Sequence, residues 1–471
     1  MTVKKNSRGK TPEQPQYQAE SLVHLLRRRA QQQADDLAYL FLHNGEEESQ
    51  RYSYAELDAL CRRSAVRLKQ LGKTGDRVLL LFPQSLDYVV AFYSCLYAGM
   101  IAVPAYPPRS SRNLPRIQGI AEDSDASIVL TTEKILGQLG DTIEQIPALK
   151  DRHWIALSQV ETGLENQWEI PEIVWDDVAF LQYTSGSTSA PKGVMVTHGN
   201  LLSNEKWIRM AAGNHEKTVT VSWLPLFHDL GLIGMMIHSM YLGGKCILMS
   251  PMAFIQKPVR WLNALSKYQG NYTAAPNFAY DLCARKVTQE QKQALDLSHW
   301  KVAMNAAEPV NAETLELFAE AFKPCGYQPE VMCPWYGLAE GTLIVSAGSP
   351  NDLPIIKTVD SVALELRQFI EVESIHQQAR QVVACGVVGV DDEMVIVDPD
   401  SLTLSPAGHI GEVWVKGPSV AVGYWNRPEA TIESLQAKLD GKGDYLRTGD
   451  LGFIIDDDLY VSGRIKDLVI I

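Results

Sequence analysis

Short apolar runs alternate with amphipathic segments along most of this chain, and the alternation predicts its fold. Residues 37–42, 77–82 and 178–183 have the length and composition of buried strands. Helical patterns lie between such runs, and one of them opens with Ser53 and Glu56 in capping-box spacing. Strands that alternate with helices predict mostly parallel sheets covered by helices on both faces. We therefore predict two doubly wound α/β sheets with ligands at the carboxyl ends of their strands.

The pattern changes after about residue 386. Residues 394–397 and 412–416 look like strands joined by tight turns, and residues 453–455 and 459–461 look like a hairpin. This end of the chain is therefore predicted to be a small antiparallel β subdomain. Three aspartates at 456–458 separate the halves of the hairpin, and a solvated turn explains them better than a metal site.

Length and charge narrow the class of protein. A chain of 471 residues is too long for one core and predicts two or three domains. The net charge of -13, without a basic run, argues against general nucleic-acid binding. Seven scattered cysteines without a CxxC pair are typical of a reducing cytoplasm rather than of a zinc site or disulfide frame.

Two segments bear on targeting. The first seventeen residues are polar, which predicts a loose tail and no signal peptide. Residues 88–110 carry one charge, at Arg109, and are long enough to raise the question of a membrane span. Gly99 and Pro104 divide the segment into a buried helix and a short strand, so we expect no membrane span.

The most informative stretch follows the apolar run 178–183. Residues 184–189 are all small or hydroxyl-bearing, and they lead into Pro191, Lys192 and Gly193. Bare backbone N–H groups and hydroxyls wrap an anion closely, and Lys192 adds a point charge. A polar hairpin loop is the alternative. A Walker loop is excluded because Gly-Lys-Ser/Thr is missing here and a strand pattern follows Gly193.

Later segments carry further candidate chemistry. His228 and Asp229 interrupt an apolar strand-to-helix junction, where a structural and a functional histidine are equally plausible. The methionine-rich helix that follows suits either core packing or the wall of a lipid pocket. Glu340 is a hard oxygen ligand of the kind that holds Mg²⁺ together with substrate phosphates. Asp450, next to a glycine, suits either a plain turn or a bond to ribose hydroxyls.

In their order along the chain, these segments resemble the adenylate-forming superfamily of acyl-CoA synthetases, luciferases and peptide-synthetase adenylation domains. The opening Leu181-Gln182-Tyr183 is similar to its fatty acyl-AMP ligase branch, and so is Ala339 in place of a threonine before Glu340. The family often has glycine where Ala306 stands. The resemblance covers nearly the whole chain and is weakest before Ser21.

The resemblance implies a role for each segment. It implies that Lys192, Glu340 and His228 are the catalytic residues, with Mg²⁺ held by Glu340 and His228 bordering the reacting carboxylate without a proton-transfer role. It implies phosphate binding by Thr184, Ser185, Gly186, Ser187, Thr188 and Lys192. It implies an acyl pocket of Phe227, His228, Asp229, Gly231, Ile233 and Met236. It implies adenine and ribose binding by Asn305, Ala306, Ala307, Glu308, Trp335, Tyr336, Gly337, Leu338, Ala339, Asp450 and Arg464, with the Tyr336 ring stacked on adenine.

The implied reaction joins a medium- or long-chain fatty acid to ATP, giving acyl-adenylate and pyrophosphate. The implied partner is the phosphopantetheine thiol of an acyl carrier protein in polyketide or nonribosomal peptide biosynthesis. Two alternatives stay open: a fatty acyl-CoA synthetase, and a catalytically weak module that only binds ATP and lipid. The chain stops at Ile471, just past a segment that resembles the family's hinge. We therefore expect the C-terminal lid and its lysine to be missing, with slow adenylate formation and little thiol transfer.

The predicted division of the chain follows from these assignments. It comprises a loose tail (1–20), a first α/β subdomain (21–175), a second with the phosphate loop (176–350), a family-specific insertion (351–385), the β subdomain (386–464) and the hinge (465–471).

Overall fold

The structure is a computed structural model that describes residues 16–107, 114–144, 146–183 and 191–467. Its strands are β1 Leu37–His43, β2 Glu47–Ser53, β3 Arg77–Leu81, β4 Ile101–Ala105, β5 Ile128–Thr131, β6 His153–Ala156, β7 Val178–Tyr183, β8 Gly193–Thr197, β9 Val219–Ser222, β10 Lys245–Met249, β11 Tyr272–Ala275, β12 Val302–Asn305, β13 Met332–Gly337, β14 Ile344–Ala347, β15 Ile356–Asp360, β16 Ala379–Val383, β17 Val387–Val388, β18 Glu393–Val397, β19 Gly411–Lys416, β20 Gly423–Tyr424, β21 Ala437–Leu439, β22 Lys442–Ile455 and β23 Asp458–Arg464.

The helices lie between these strands. They are α1 Leu22–Gln32, α2 Tyr54–Lys69, α3 Leu86–Tyr97, α4 Leu114–Ser124, α5 Glu133–Glu144, α6 Pro147–Lys150, α7 His198–Ala212, α8 Asp229–Gly231, the π-helix Leu232–Ile237, α9 His238–Leu242, α10 Pro251–Gln256, α11 Val259–Lys267, α12 Asn277–Lys286, α13 Gln289–Lys292, α14 Ala312–Phe322, α15 Ser361–Glu365 and α16 Pro428–Leu435. The predicted capping box at Ser53 and Glu56 is confirmed, and α2 begins directly after Ser53.

Two large sheets form the body of the described chain. One has seven strands in the order β20-β8-β7-β4-β3-β5-β6, and the other has nine in the order β17-β14-β13-β12-β11-β9-β10-β1-β2. The inner pairs are parallel, as β3 with β4 and β11 with β12, while antiparallel pairs lie towards the edges. The α/β class with mostly parallel sheets is therefore confirmed.

Sheet membership does not follow the order of the chain. The nine-stranded sheet takes β1 and β2 from the N-terminal part and its other strands from residues 219–388. The strands on either side of the predicted phosphate loop, β7 and β8, belong to the seven-stranded sheet together with β3 to β6. Each sheet thus draws strands from both sides of residue 175, and the subdomain boundaries stay a prediction.

The predicted antiparallel β subdomain is also confirmed. Its sheet has the order β18-β19-β22-β21, and β23 pairs with β22. Asp456 and Asp457 both have positive φ, as a tight hairpin turn between β22 and β23 requires. Within the 351–385 segment, β15 and β16 pair with each other, and Val359 and Val382 pack with Phe453 of the β subdomain.

Two further expectations concern the N-terminal tail and the question of a membrane span. Residues 1–15 of the predicted loose tail lie outside the described residues, but Tyr17 is 3% exposed and stacks on Tyr241 with ring centroids 5.4 Å apart. The predicted tail is therefore packed at this residue, because the ring completes the apolar core beside α9. No helix in the described ranges is both long enough and apolar enough to cross a membrane.

Candidate active site

The base of the predicted phosphate loop is tightly constrained. Tyr183, at the end of β7, pairs with Gly193, at the start of β8. The Tyr183 hydroxyl donates to Asp123 Oδ2 at 2.8 Å, and Arg427 donates to Asp123 Oδ1 at 2.5 Å. A Cβ at Gly193 would lie 2.9 Å from the Tyr183 ring, so this position has no room for a side chain. The predicted phosphate-binding residues Thr184, Ser185, Gly186, Ser187 and Thr188 lie outside the described residues.

Lys192 and Glu340 come together through Tyr424, which the sequence did not single out. The Tyr424 hydroxyl donates a hydrogen bond to Glu340 Oε1 at 2.7 Å. The ammonium of Lys192 lies 5.1 Å from the centroid of the Tyr424 ring, within cation–π range. Burial and the Glu340 carboxylate raise the pKa of the Tyr424 phenol, so it stays a donor. Within the described ranges no group donates to Glu340 Oε2, which leaves that oxygen accessible to a cation or ligand.

A strained turn follows Glu340. Thr342 has φ 68° and ψ -60°, and Leu343 N donates to Gly341 O at 2.8 Å. This is the rare hand of γ-turn, and such a residue costs about 1–3 kcal/mol unless its surroundings hold it. The Thr342 hydroxyl, fully buried, donates to Ser419 O at 2.6 Å. The strain therefore lies two residues from Glu340 and is held by the loop that leads to Tyr424.

Tyr336 and Asp450, predicted to bind adenine and ribose, are in direct contact. The Tyr336 hydroxyl donates to Asp450 Oδ2 at 2.7 Å, and Arg464 Nε donates to Asp450 Oδ1 at 2.9 Å. Asp450 is 4% exposed, whereas two-thirds of the Arg464 side chain is exposed. Burial raises the pKa of Asp450, and its two donors oppose that rise. The structure thus brings together three residues that are distant in sequence.

Glu412 stabilises the turn that carries Asp450, and it was not among the predicted site residues. Its Oε1 accepts from the backbone N–H of Gly449 at 3.0 Å. Its Oε2 accepts from Trp414 Nε1 at 2.9 Å and from Arg447 Nε at 3.0 Å. Glu412 is 2% exposed, so this network is buried and fixes the turn that carries Asp450.

The predicted adenine segment lies at the end of β12. Asn305 is fully buried; its Nδ2 donates to Asn277 Oδ1 at 3.3 Å, and its Oδ1 has no partner among the described residues. Backbone strain falls on Ala307, with φ 70°, and not on Ala306, the position where we noted the family's glycine. Glu308 Oε1 accepts from Phe278 N at 2.5 Å, so this side chain satisfies a donor at the start of α12.

The remaining predicted adenine residues belong to one continuous segment. They are Trp335 and Gly337 in β13, and Leu338 and Ala339 at the turn before Glu340. Trp335 is buried and its Nε1 donates to Gly348 O at 3.1 Å. A Cβ at Gly337 would lie 1.7 Å from Leu343 O, so the strand end and the strained turn pack without space for a side chain.

The predicted acyl-pocket residues lie on one junction. Phe227 O accepts from Gln182 Nε2 at 3.1 Å, which joins this junction to β7. His228 Nδ1 lies 2.6 Å from Asp229 Oδ1, and the Asp229 carboxylate raises the pKa of His228. About half of the His228 side chain is exposed, so the imidazole is open to a ligand. A Cβ at Gly231 would lie 2.2 Å from Pro225 O, which explains glycine at this position.

The methionine-rich helix is broken into three pieces, with a π-helix over Leu232–Ile237 between α8 and α9. Short π-helical segments are frequent at functional sites. Ile233 and Met236, predicted to line the acyl pocket, are fully buried. Core packing accounts for that burial, and the predicted lipid wall is not tested by it.

A buried polar cluster at the end of the π-helix was not predicted. His238 Nδ1 lies 2.6 Å from Glu205 Oε2, and His238 Nε2 lies 3.0 Å from Asn214 Nδ2. Both members of the acid–histidine pair are fully buried. Burial lowers the pKa of His238 to about 3 and raises that of Glu205, so both side chains are held neutral.

The residues that the sequence analysis missed differ in how far the local sequence could have indicated their roles. Glu412 stands at the head of an apolar strand, and an acid in such a position is usually paired or bound. Tyr424 carried no local signal, because it lies 84 residues from Glu340. Thr342 is a non-glycine residue in a glycine-like conformation, which sequence alone does not reveal.

Comparison with known proteins finds a matching family model and similar sequences. The family model described as "AMP-binding enzyme" matches residues 26–425. The chain is 42% identical over 459 residues to the medium-chain-fatty-acid–[acyl-carrier-protein] ligase JamA of Moorena producens, covering 96% of this chain and 78% of that protein. It is 38% identical to the long-chain-fatty-acid–AMP ligase FadD32 of Mycolicibacterium smegmatis, covering 96% and 75%.

A solved structure extends the comparison to the fold. The fatty acyl-adenylate ligase of Legionella pneumophila, in complex with acyl adenylate and pyrophosphate, superposes with a TM-score of 0.92 at 40% identity. The alignment covers 98% of this chain and 80% of that one.

Proposed function

Because this chain belongs to the AMP-binding enzyme family and, within it, to the fatty acyl-AMP ligases, we propose that its cleft activates a medium- or long-chain fatty acid with ATP. The products are acyl-adenylate and pyrophosphate. The observation that carries the residue-level proposal is that Tyr424 contacts both Lys192 and Glu340. Glu340 is close in sequence to Tyr336, which contacts Asp450. These contacts place a cation beside a hard carboxylate, and an aromatic ring beside a ribose-type acceptor.

The chemistry follows from the charges involved. A carboxylate oxygen of the acid attacks the α-phosphorus, a C–O–P linkage forms, and the bond from the α-phosphorus to the bridging oxygen breaks. The acid is already ionised at neutral pH, so positioning and charge neutralisation supply the acceleration. Lys192 and the loop 184–188 bind the β- and γ-phosphates. His228, whose pKa is raised by Asp229, attracts the acid's carboxylate and holds it at the mouth of the acyl pocket.

The nucleoside is held by the second part of the site. Tyr336 presents its ring to adenine, beside the small residues 305–308 at the end of β12. The carboxylate of Asp450 accepts from Tyr336 on one oxygen and from Arg464 on the other, and each oxygen keeps a lone pair for a ribose hydroxyl. Glu412 keeps that carboxylate in place through Gly449.

A divalent cation fits the donor chemistry of Glu340. One of its oxygens is occupied by Tyr424 and the other is open among the described residues, as a single carboxylate that shares Mg²⁺ with substrate phosphates requires. When bound, Mg²⁺ neutralises charge on the leaving pyrophosphate. Glu340 would hold the cation, and Lys192, which lies over the face of the Tyr424 ring, would act on the same leaving group.

Burial of the acyl chain keeps the acyl-adenylate bound to the enzyme. Burial contributes about 0.8 kcal/mol per methylene, so ten methylenes give about 8 kcal/mol of gross binding. This keeps a reactive mixed anhydride bound until an acceptor arrives. We propose that the acceptor is the phosphopantetheine thiol of an acyl carrier protein in polyketide or peptide biosynthesis, because the Moorena relative is an acyl-carrier-protein ligase. The seven cysteines are free and buried, which supports a reducing, cytoplasmic location.

The direct test is fatty-acid-dependent exchange of labelled pyrophosphate into ATP, with acids from octanoate to palmitate. We expect the KM for the acid to fall about fourfold per added methylene until the pocket is full. Lys192→Ala and Glu340→Ala should each lower the rate by about a hundredfold. Lys257→Ala, which removes a surface lysine paired with Glu46, is the matched control and should change nothing.

The outcomes separate the alternatives. Exchange that does not depend on the acid, or that survives both alanine substitutions, would favour a binding module over an enzyme. Labelled fatty acid incubated with ATP and either carrier protein or CoA, using a protein that carries the C-terminal lid, separates the other two readings. Label transferred to the carrier supports the acyl-AMP ligase, whereas label on CoA would favour an acyl-CoA synthetase.

A further inference from the structure

The segment Gly423–Arg427, which we call the brace, contacts both sides of the phosphate-loop base. Gly423 and Tyr424 pair with Met195 and Val194 of β8, and Trp425 N donates to Gly193 O at 2.8 Å. On the other side, Arg427 reaches Asp123, which accepts from Tyr183 at the end of β7. The brace therefore holds the ends of β7 and β8, the two strands that flank the phosphate loop in the sequence.

The same part of the chain also holds Glu340. The backbone N–H of Ala421 donates to the backbone oxygen of Glu340 at 2.9 Å. Ser419 O accepts from the Thr342 hydroxyl, and the Tyr424 hydroxyl donates to Glu340 Oε1. Backbone and side chain of Glu340 are thus fixed by one continuous stretch.

Tyr424 is the residue at which these two sets of contacts meet. It is 6% exposed, its backbone N–H donates to Thr431 Oγ1 at 2.9 Å, and its ring has little freedom to move. The hydroxyl faces Glu340 and the ring face carries the Lys192 ammonium. This hydrogen bond to one carboxylate oxygen restricts the rotation of the carboxylate, and the other oxygen has no donor among the described residues.

We propose that Tyr424 is a positioning residue of the adenylation reaction. It orients Glu340 so that Oε2 faces a divalent cation, and it supports Lys192 so that the ammonium faces the nucleotide phosphates. This inference rests on the function proposed above and adds a residue to it. Tyr424 touches neither substrate nor reacting atoms in this scheme.

The test separates the hydroxyl from the ring. Tyr424→Phe keeps the ring under Lys192 and removes the bond to Glu340; Tyr424→Leu removes both. The matched control is Tyr445→Phe, because Tyr445 is 7% exposed and donates to Glu393 Oε1 at 2.9 Å in the β subdomain. Binding is measured without turnover by electron paramagnetic resonance titration of Mn²⁺ in the presence of ATP, and ATP binding in EDTA is measured by calorimetry.

We expect Tyr424→Phe to weaken Mn²⁺ binding in the ATP complex about tenfold, as loss of a hydrogen bond to a charged group predicts, and to leave metal-free ATP binding unchanged. Tyr424→Leu should weaken metal-free ATP binding as well. In a Glu340→Gln background, Tyr424→Phe should have almost no further effect, since the carboxylate that it orients is gone. Tyr445→Phe should bind Mn²⁺ and ATP as the wild type does.

Wild-type Mn²⁺ affinity in Tyr424→Phe would overturn the inference, and so would an equal loss in Tyr445→Phe or full additivity with Glu340→Gln. Thermal melting of each variant identifies any that is unfolded, and the cycle in the Glu340→Gln background still decides the question. If the wild type shows no acid-dependent pyrophosphate exchange, the proposed function fails. If wild-type exchange is present and Tyr424→Phe is unaffected, only the present inference fails.

Discussion

Glu412→Ala should destabilise the β subdomain and weaken ATP binding together. The carboxylate is 2% exposed and accepts from Gly449 N, Trp414 Nε1 and Arg447 Nε at 2.9–3.0 Å. Removing it leaves three donors without a partner, two of them neutral and one a guanidinium. The loop that carries Asp450 loses its anchor at the same time.

The expected size follows from the burial of the network. Breaking a buried ion pair by removing one partner costs about 3–5 kcal/mol. Arg447 is 30% exposed, so water recovers part of its solvation and the lower end of that range applies. Against a total stability of about 5–15 kcal/mol, a loss of about 3 kcal/mol is readily measured. Displacement of Asp450 should raise the KM for ATP about tenfold or more.

Urea unfolding followed by tryptophan fluorescence measures the first effect, and ATP-dependent pyrophosphate exchange measures the second. Glu393→Ala is the control, because that carboxylate lies in the same subdomain and accepts a single hydrogen bond from Tyr445. It should cost about 1 kcal/mol and leave the KM for ATP unchanged. A Glu412→Ala protein that matches Glu393→Ala in both measurements would refute the reasoning.

Three further predictions concern pH and packing. The Asp229 carboxylate raises the pKa of His228 above 6.5, so the KM for the fatty acid should rise as pH climbs through that pKa, and His228→Asn should give a flat profile. Burial raises the pKa of Asp392 to about 7, so the folded state disfavours its ionised form; stability should fall as pH rises from about 4 to 7. Asp392→Asn should therefore be more stable than the wild type by up to about 4 kcal/mol at pH 8 and equal to it at pH 4, as measured by urea unfolding. Gly231→Ala should destabilise by about 3 kcal/mol, because its Cβ would lie 2.2 Å from the backbone oxygen of Pro225, and a melting temperature equal to the wild type would contradict this.

The predicted acyl pocket and phosphate loop illustrate two different limits of sequence reasoning. The acyl-pocket residues are implied by the family resemblance, and the apolarity of the helix that carries Ile233 and Met236 does not by itself separate a lipid wall from core. The phosphate loop was chosen from small and hydroxyl residues, which indicate backbone donors but not their directions. The resemblance likewise does not reveal that the Glu308 carboxylate accepts from the backbone N–H of Phe278 at the start of α12.

Local sequence was sufficient wherever the determining interaction is itself local. The limits of β7 follow from an apolar run bounded by small polar residues, and α2 begins at Ser53 because its capping partner lies three residues away. The alternation of strands and helices determined the α/β class, and turn residues determined the hairpin at 456–458.

Only the tertiary structure decided which strands share a sheet and which side chains meet. β1 joins β10 rather than β3, although β3 is its next parallel candidate along the chain. Tyr424 reaches Glu340, and Glu412 reaches Gly449, through strand pairings that close long loops. The physical reason is that the entropy cost of closing a loop grows only slowly with its length, so a strand can pair with a near or a distant strand at similar cost. The hydrophobic periodicity of a strand therefore does not indicate which other strand it will pair with. The choice is made by burial and complementary packing of the whole chain.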